Sequence, residues 1–588
     1  MRRRVWGVAL ALVVSGLFLA PAQGAAPPLP PSLPLPLPLP LPLPLPLERW
    51  YDNTSTVDLD GAGNHLPASD LAAAGWIPGR APTVRGARLT WPLRPPGAPD
   101  NVRAAGQTVG ADGHGDALAF LVTSTGGGEA GGTGSVVYAD GSRSPYLLTA
   151  PDWRTGPLAT KALALPHIGT PDGPLAERAR LYVVTVPLVR GREVVAVRLP
   201  VAPRLHVFAL AVRTGSAGWT GTWAASPSAL AAVGPWTDRT LRLVVHTSVG
   251  GPRVRLRFDN AFASAPVRIG AASVAVRSAG AAAQSVPVPL SFGGARGVEV
   301  PAGAQAVSDP LPFAVPADVD LLVSFHLPGT VTSVPWHGLA VQRSYLSGPG
   351  DHTADADGTP YSATIGSWPL LTGVDVGGGP GAVVLLGDSI TDGDRSTVGA
   401  NRRWPDALAA RLRRQDSVPR YGVLNAGIAS NRVVSDRYPG DGLALVGGGV
   451  SAVHRLDRDV LAQTSVRTLV VFEGINDLRD GTTAVEVAAG LRELAGRARA
   501  RGVRVLGATL PPCGGSARCT APVEGERAAL NAWIRHSGVF DGVLDFDRAL
   551  RDPAVPTRML PAYDSGDHLH PGDAGYAALA EAVDLRLL

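Results

Sequence analysis

Apolar residues in the C-terminal third of the chain alternate between short continuous runs and longer stretches with a period near 3.6 residues. The short runs predict strands at residues 382–386, 422–425, 468–472, 503–509 and 542–546. The periodic stretches predict helices at residues 404–414, 483–501, 522–536 and 574–585. Alternating strands and helices indicate a mainly parallel sheet with helices on both faces. We therefore expect an α/β domain over residues 374–588.

The two regions before this domain follow a different pattern, with short runs that alternate at period two between turn-rich clusters. In residues 48–215 such runs occupy 117–123, 135–138, 180–186 and 193–199. In residues 216–373 they occupy 240–247, 253–258 and 320–327. Strands of this length and spacing are typical of antiparallel sheets with one buried face. We predict two all-β, sandwich-like domains, the second packed against the α/β domain.

The first β domain carries a possible binding function. Residues 90–108 are similar to sandwich modules of secreted actinobacterial glycoside-processing enzymes. Exposed Trp91 or Trp153 would stack well on the apolar face of a sugar. Tryptophan is also a common core residue, and this second interpretation is the one we favour for both positions.

The amino terminus has the features of a targeting segment. Arg2, Arg3 and Arg4 precede an apolar run at residues 8–20 and then small residues, so residues 1–25 are predicted to be a secretory signal peptide rather than an uncleaved anchor. Residues 26–47, rich in Pro and Leu, are predicted to be an extended linker or spacer, with a docking motif as the alternative. No later run reaches the roughly 18 apolar residues of a membrane span. We expect a secreted, extracellular protein.

Composition and charge narrow the classes of function. The chain has 588 residues, of which 45% are hydrophobic and 17% charged, as expected for a folded protein of several domains. Its 53 basic residues barely exceed its 49 acidic ones, and no basic stripe interleaved with aromatic residues is present. Nucleic acid is therefore not an expected partner. We expect a monomer.

Polar residues follow the first two predicted strands of the α/β domain. Gly387-Asp388-Ser389-Ile390 comes directly after the first strand, where glycine permits a tight turn and a helix start favours negative charge at Ser389. Residues 425–432 follow the second strand and offer backbone N–H groups at the same edge. The alternative for Ser389 alone is a buried serine in a turn.

Two further polar segments follow later strands. Gly474-Ile475-Asn476-Asp477 offers the carboxamide of Asn476 as a hydrogen-bond donor. In Asp567-His568-Leu569-His570, a spacing of three residues lets Asp567 bond one ring nitrogen of His570, so the other nitrogen can take a proton from Ser389. These histidines could instead bind a metal, but third and fourth ligands at suitable spacing are missing from the sequence. We predict neither a metal nor another cofactor.

In this order, the four segments resemble the blocks of the SGNH/GDSL hydrolase family over about residues 381–588. The resemblance implies a flavodoxin-like, three-layer α/β fold, with Ser389 as nucleophile and Asp567 with His570 as the acid/base pair. It also implies that Asn476 and the Ser389 N–H belong to an oxyanion hole. The segment from Trp219 to Trp223 looks like the start of the β-rich part that precedes this domain in some secreted actinobacterial members.

One position departs from the family pattern. When the second block is aligned on Asn425, the glycine whose N–H serves the oxyanion hole falls on Ser430, whereas Gly427 lies three residues earlier. Serine retains the backbone donor, so catalysis is compatible with this change. The expected donor is therefore Ser430, with Gly427 as the alternative.

The resemblance implies a serine esterase that works through an acyl-enzyme. Secretion and the additional β domains favour acetyl or other short O-acyl esters, carried by a carbohydrate, so the expected partner is an acylated polysaccharide or a small ester. Two alternatives remain open. One is a lipase or lysophospholipase, and the other is a carbohydrate- or surface-binding protein whose hydrolase domain is inactive.

Cys513 and Cys519 are the only cysteines in the chain. An exported protein with two cysteines this close together is expected to join them in a disulfide. The closed loop would then stiffen one wall of the active site.

Overall fold

The structure, a computed structural model, describes residues 44–444 and 447–588. The predicted signal peptide and residues 26–43 of the predicted linker lie outside the described residues. The rest of that linker packs on the first β region, where the Gly110 N–H donates to Leu45 O at 2.8 Å and Leu47 is buried. Of the helices in the described part of the chain, none is long and apolar enough to span a bilayer.

The first β region is built on a mainly antiparallel sheet. Its helix and strands are α1 (Ala68–Ala73), β1 (Thr83–Val84), β2 (Ala87–Arg88), β3 (Val102–Ala105), β4 (Thr108–Ser124), β5 (Ala130–Tyr138), β6 (Arg143–Ala150), β7 (Leu163–Leu165), β8 (Ile168–Thr170), β9 (Gly173–Leu175), β10 (Ala179–Pro187), β11 (Glu193–Arg198) and β12 (Val201–Thr214). Eight of these strands form one sheet in the order β3-β12-β4-β11-β5-β6, with β10 beside both β4 and β7.

Residues 117–122 of strand β4 are apolar without interruption because both faces of this part of the strand are covered. Leu118, Phe120 and Val122 enter one hydrophobic core, and Ala119 and Leu121 enter a second core. Alternate side chains of a strand point to opposite faces, so a strand between two cores carries no polar face.

Both tryptophans considered for sugar binding lie inside this region. Trp91 and Trp153 are 3% and 1% exposed, and Trp91 stacks on Phe208 with the ring centroids 5.4 Å apart. Neither ring is available to a sugar, so the core interpretation is correct for both.

The second β region forms two facing sheets. Its strands are β13 (Trp219–Ala224), β14 (Ala229–His246), β15 (Val254–Asp259), β16 (Val267–Ile269), β17 (Ala271–Ala279), β18 (Ala282–Ala283), β19 (Val288–Pro289), β20 (Val298–Val300), β21 (Gln305–Val307), β22 (Asp320–His337), β23 (Ser344–Pro349), β24 (Ala363–Ile365), β25 (Trp368–Pro369) and β26 (Leu371–Gly377). One sheet has the order β13-β26-β15-β21-β1-β2, so two strands from the first β region extend it. The other sheet has the path β18-β17-β22-β14-β23-β24, with β19 and β25 at its sides. Alternate residues of β14 and β15, among them Leu241, Leu243 and Leu256, fill the core of this region.

The C-terminal region has a five-stranded parallel sheet, as the sequence predicts. Its elements are β27 (Ala382–Gly387), α2 (Ser389–Asp392), α3 (Trp404–Arg413), β28 (Gly422–Gly427), α4 (Ala452–Leu456), β29 (Val466–Phe472), α5 (Ile475–Arg479), α6 (Ala484–Arg499), β30 (Arg504–Ala508), α7 (Ala521–His536), β31 (Gly542–Leu544), α8 (Phe546–Leu550) and α9 (Asp573–Glu581). The strand order is β28-β27-β29-β30-β31, with every neighbouring pair parallel. In a sheet of this order, the crevice for a ligand lies at the carboxyl ends of the strands, where the strand order reverses between β27 and β29.

The second β region packs directly on the outer strand β28. A Cβ on Gly221 would lie 2.8 Å from the Leu424 side chain, and a Cβ on Gly422 would lie 2.0 Å from Gly221 O. The Val423 N–H donates to Ser248 Oγ at 3.0 Å. This close approach requires glycine at both positions, and it ties the β-rich half of the molecule to the sheet that carries Ser389.

Candidate active site

Ser389 begins the short helix α2, immediately beyond the carboxyl end of the central strand β27. Asp388 caps this helix, because its Oδ1 accepts the Ile390 N–H at 3.0 Å. A side chain at Gly387 would collide with Thr391 Oγ1 at 2.2 Å and with Phe472 O at 2.6 Å, so the turn between strand and helix needs glycine. The predicted strand, turn and helix therefore place the Ser389 hydroxyl at the edge of the sheet.

His570 and Asp567 form a tight pair in the loop before α9. Asp567 Oδ2 lies 2.7 Å from His570 Nδ1, and Asp567 Oδ1 accepts the backbone N–H groups of His570 at 2.8 Å and of Leu569 at 3.0 Å. Partial burial raises the pKa of Asp567, but the backbone and side-chain hydrogen bonds from His570 outweigh it, and the pKa lies well below its ordinary value. Asp567 is therefore ionised at neutral pH and favours a proton on His570 Nδ1.

The structure brings this pair to Ser389. Ser389 Oγ lies 2.9 Å from His570 Nε2, although the two residues are 181 positions apart in the chain. Asp394 Oδ2 lies 3.7 Å from the same nitrogen, and Arg395 Nε lies 3.3 Å from Asp567 Oδ2. With the proton on Nδ1, Nε2 is free to accept the Ser389 hydroxyl proton, which is the arrangement that activates a serine. His568, the neighbouring histidine, pairs with Asp564 instead.

The backbone N–H groups of Ser389 and Ser430 have no hydrogen-bond acceptor among the described residues. Ser430 has φ 65°, the left-handed region where glycine is the usual residue. The Gly427 N–H, by contrast, donates to Asn425 Oδ1 at 2.8 Å. Of the two donors left open by the sequence, Ser430 is therefore the one available to a ligand.

Asn476 lies at the start of α5, after the neighbouring strand β29, and is buried. One proton of its Nδ2 is donated to Asn431 O at 3.0 Å, next to Ser430 in the chain. An amide nitrogen carries two protons, so the second remains for a ligand. This bond connects the segments after β28 and β29, on either side of the Ser389 strand.

A buried arginine that the sequence does not reveal joins the strand ends. Arg455 is fully buried, and it donates to Gly387 O at 2.9 Å, to Ala426 O at 2.6 Å and to Asn431 Oδ1 at 2.8 Å. It thereby holds the ends of β27 and β28 and the segment that carries Ser430 in one arrangement. A single arginine in a helix is usually exposed, so the sequence contains no sign of this role.

Buried carboxyl groups lie close to the same strand ends. Burial raises the pKa of Asp388 to about 6 and that of Asp477 to about 6. Glu473 is fully buried, with the nearest charged atom Arg455 Nη2 at 3.6 Å, and burial raises its pKa well above the ordinary value. Asp477 accepts the Val433 N–H at 2.8 Å, which fixes the segment after Ser430 from the other side.

The second β region contributes a histidine to the same framework. His337, at the end of β22, has Nε2 2.9 Å from Asp392 Oδ1 and 3.0 Å from Leu339 O, and Nδ1 2.9 Å from Ser226 O. Burial lowers the pKa of His337, whereas Asp392 and the backbone carbonyls raise it by a larger amount. The pKa of His337 therefore lies above its ordinary value. The second carboxylate oxygen of Asp392 accepts the Ala429 N–H at 2.9 Å, one residue before Ser430. His337 lies 52 residues before Ser389, and nothing in the local sequence distinguishes it from other histidines.

Cys513 and Cys519 are joined in a disulfide, as predicted, with their Cα atoms 5.8 Å apart. The closed loop lies beside the histidine segment, since a Cβ on Gly515 would be 3.0 Å from the His568 ring. It also contacts α5, where Arg479 Nη2 lies 3.5 Å from Ser516 Oγ. The loop therefore connects the segment of His570 with the helix of Asn476.

Clusters of candidate metal ligands are scarce among the described residues. Within residues 44–444 and 447–588, three candidate ligand atoms come close together only at Cys513, Cys519 and Glu524. Both cysteines of this group are already bonded to each other.

Comparison with known proteins gives matches to the C-terminal region. Residues 385–578 match the model described as the GDSL-like lipase/acylhydrolase family. Similar structures include a member of the lipolytic protein G-D-S-L family from Veillonella parvula DSM 2008, with 17% identity over 34% of this chain and 94% of that chain and a TM-score of 0.27. A GDSL-like lipase from Bacteroides thetaiotaomicron VPI-5482 has 16% identity over 35% of this chain and 87% of that chain, with a TM-score of 0.27. A variant of an acetyl xylan esterase from Geobacillus stearothermophilus has 21% identity over 35% of this chain and 93% of that chain, with a TM-score of 0.28. Comparison with curated proteins gives no match.

Proposed function

The region spanning residues 385–578 belongs to the GDSL-like lipase/acylhydrolase family, a carboxylic ester hydrolase family, and from this we propose that Ser389, His570 and Asp567 carry out ester hydrolysis. The observation that supports this proposal most directly is the Ser389 Oγ to His570 Nε2 distance of 2.9 Å, with Asp567 bonded to the far side of the imidazole. Ser389, His570 and Asp567 thus form a continuous hydrogen-bonded series of a nucleophile, a general base and a carboxylate that orients the base.

The proposed reaction has two halves. His570 Nε2 takes the proton of Ser389 Oγ as the oxygen attacks the ester carbonyl, and the same proton then passes to the departing alcohol. Water next attacks the acyl-enzyme, again with His570 as base, and releases the acid. Asp567 stays ionised throughout and stabilises the imidazolium.

Charge that develops on the carbonyl oxygen needs donors already in position. We assign this role to the N–H groups of Ser389 and Ser430 and to the carboxamide of Asn476. Arg455, His337 and Asp477 act on these donors indirectly, because they fix the segments that carry them. They are positioning residues in this proposal.

We propose acetyl or other short acyl esters as the substrates, attached to a carbohydrate. The side chains beside the triad are charged or polar, among them Asp394, Arg395 and His568. A long alkyl chain would have to desolvate these charged groups without hydrogen bonds in return, which is costly. An acetyl group needs much less apolar surface.

Replacing Ser389 with Ala tests the assignment of the nucleophile. We expect kcat for p-nitrophenyl acetate to fall by about 10⁴-fold or more, because the acyl-enzyme cannot form. Thermal unfolding of the variant should match that of the wild type. Ser417→Ala, in an exposed turn after α3, is the matched control and should retain full activity.

Near-normal turnover by the Ser389 variant would refute the assignment. A series of p-nitrophenyl esters of increasing chain length, together with acetylated xylan and pectin, addresses the substrate. An optimum at long acyl chains would contradict a short-chain esterase and favour a lipase. Absence of activity towards every ester, with the fold intact, would favour a binding protein.

A further inference from the structure

Three arginines of the C-terminal region lie around a single carboxylate, that of Asp480. Arg432 and Arg518 each contact Asp480, and Arg437 Nη2 lies 3.6 Å from Asp480 Oδ2. Arg479 precedes Asp480 in the chain, and no carboxylate of the described residues lies within ion-pair distance of its guanidinium. Three segments of the chain thus bring together four arginines and one ion-paired carboxylate. We call these four residues the arginine cluster.

The arginine cluster is carried by the segments that hold the proposed oxyanion donors. Arg432 follows Ser430 by two residues, and Arg479 follows Asn476 by three residues, at the end of α5. The bond from Asn476 Nδ2 to Asn431 O, at 3.0 Å, keeps these two segments together.

The third segment of the arginine cluster is the disulfide loop, which extends towards the catalytic histidine. Arg518 Nη2 donates to Arg479 O at 3.0 Å, and Arg479 Nη2 lies 3.5 Å from Ser516 Oγ. Gly515 of the same loop lies against the ring of His568, two residues before His570. The disulfide loop thus connects the arginine cluster with the histidine segment.

Most donors of the cluster have no acceptor in the part of the chain that the structure describes. A guanidinium carries five N–H donors, and the four groups together carry about 20. Besides Asp480, their acceptors are Ser435 Oγ, Ser516 Oγ and Arg479 O. Burial and the neighbouring Arg518 lower the pKa of Arg479, as expected for a cation that lacks a counter-ion. The negative charges of Asp388 and Asp567 act in the opposite direction and raise this pKa, but the net shift is downward.

We propose that Arg432, Arg437, Arg479 and Arg518 form an anion subsite beside Ser389, and that the acylated substrate carries a carboxylate close to its ester, as a uronic acid residue of an acidic polysaccharide does. This inference rests on the proposed function, because it names a substrate class for the same site. Guanidinium groups bind carboxylates through paired, charge-assisted hydrogen bonds, so an arginine cluster selects such a group by geometry as well as by charge. Two serines on these segments, Ser435 and Ser516, accept hydrogen bonds from the cluster and add neutral polar groups of the kind that bind a sugar.

The test compares two forms of one polymer, acetylated polygalacturonate with free carboxylates and the same polymer with its carboxyls methyl-esterified. We expect kcat/KM for acetate release by the wild-type protein to be about tenfold or more higher on the charged form, the usual scale for a hydrogen bond to a charged group. Added salt should narrow the difference. The ratio of the two values should fall towards one in the double variant Arg437→Gln, Arg518→Gln.

Arg420→Gln is the matched control. Arg420 lies just before the amino end of β28, at the edge of the sheet opposite Ser389, and it pairs with the exposed Asp416. Its removal should leave the ratio unchanged. Equal turnover of the two polymers by the wild-type protein would overturn the anion subsite. A preference for lysophosphatidylglycerol over the charged polymer would also overturn it, because the arginines would then bind a lipid phosphate. Absence of any activity of the wild-type protein towards p-nitrophenyl acetate would instead overturn the proposed function.

Discussion

At the scale of single residues, the site depends on buried carboxyl groups as much as on the triad. Asp477 accepts the Val433 N–H at 2.8 Å and the Val434 N–H at 3.1 Å, and so it holds the segment that follows Ser430. Burial nevertheless raises its pKa to about 6, because two amide bonds do not replace the water that an ionised carboxylate loses.

The raised pKa of Asp477 makes stability depend on pH. Between the ordinary pKa of 3.8 and the folded value of about 6, the unfolded chain loses a proton that the folded protein keeps. The contribution of Asp477 to the free energy of unfolding is therefore fully present at low pH and is lost as the pH rises through about 6, by on the order of 2–3 kcal/mol. Asp477→Asn removes this titration.

Urea denaturation of the wild type and Asp477→Asn at about pH 4, 5 and 6 measures the effect. We expect the free energy of unfolding of the wild type, relative to that of the variant, to decrease across this range. A difference that does not change with pH would show that Asp477 titrates alike in the folded and unfolded chains.

Site residues with a reactive side chain at a characteristic spacing can be predicted from the sequence, whereas residues that act through packing cannot. Ser389, Asp567 and His570 were predicted from their types and spacing, and the structure brings them within hydrogen-bond distance. The choice between Ser430 and Gly427 needed coordinates, because it depends on where a backbone N–H points. Arg455 could not be predicted, since its burial results from the approach of three chain segments.

At the scale of elements, the disulfide loop forms part of the wall around the histidine segment. It contacts His568 through Gly515 and α5 through Ser516. The two cysteines are only six positions apart, so the loop-closure entropy gained is about 2 kcal/mol. The loop therefore matters more for the shape of the site than for the stability of the whole domain.

Reduction of the Cys513–Cys519 disulfide should lower activity more than stability. We expect kcat/KM for p-nitrophenyl acetate to fall several-fold after mild reduction, because Arg479 and His568 lose a fixed neighbour, while the domain stays folded. Thiol titration before and after treatment confirms the redox state. The double variant Cys513→Ser, Cys519→Ser is the control and should not respond to the reductant. Full activity of the reduced wild type would contradict the role of the loop.

The strands and helices of the C-terminal region could be predicted because their hydrophobic periods are clear. The predicted helix at 404–414 matches α3, and the predicted strand at 468–472 lies within β29. The short strand β31 has only three residues, and its predicted extension to 546 is instead the start of α8. Apolar residues stand on both sides of Asp545, at Leu544 and at Phe546, so the hydrophobic pattern alone does not show that the strand ends before Asp545 and the helix begins after it.

At the scale of the whole molecule, the catalytic framework is completed by a residue from outside the α/β region. His337 belongs to the second β region, and it orients Asp392, which in turn holds the segment of Ser430 through the Ala429 N–H. A change in the β region can therefore affect catalysis without any contact with substrate.

Replacing His337 separates positioning from general stability. We expect His337→Ala to lower kcat for p-nitrophenyl acetate by about tenfold or more, with KM within about twofold, because an oxyanion donor moves while binding changes little. His337→Gln retains a donor towards Asp392 and should restore a large part of kcat. If both variants lose thermal stability while kcat of the folded fraction is unchanged, His337 has only a structural role.

The domain organisation was predictable only in outline. Period-two runs predict two β domains, and the described chain before β27 is rich in strands, yet β1, which precedes the first large sheet and pairs with β2, also pairs with β21 of the second region. Residues 83–88 have no feature that could reveal this partner, because pairing between distant strands depends on the final arrangement of the chain.

This exchange of strands has a consequence for the ancestry of the protein. A domain that can be gained or lost by recombination makes few contacts with its neighbours. Removal of the first β region here would instead leave β21 as an unpaired edge of its sheet, which is prone to self-association. The two β regions are therefore expected to have been inherited together, as a single evolutionary unit.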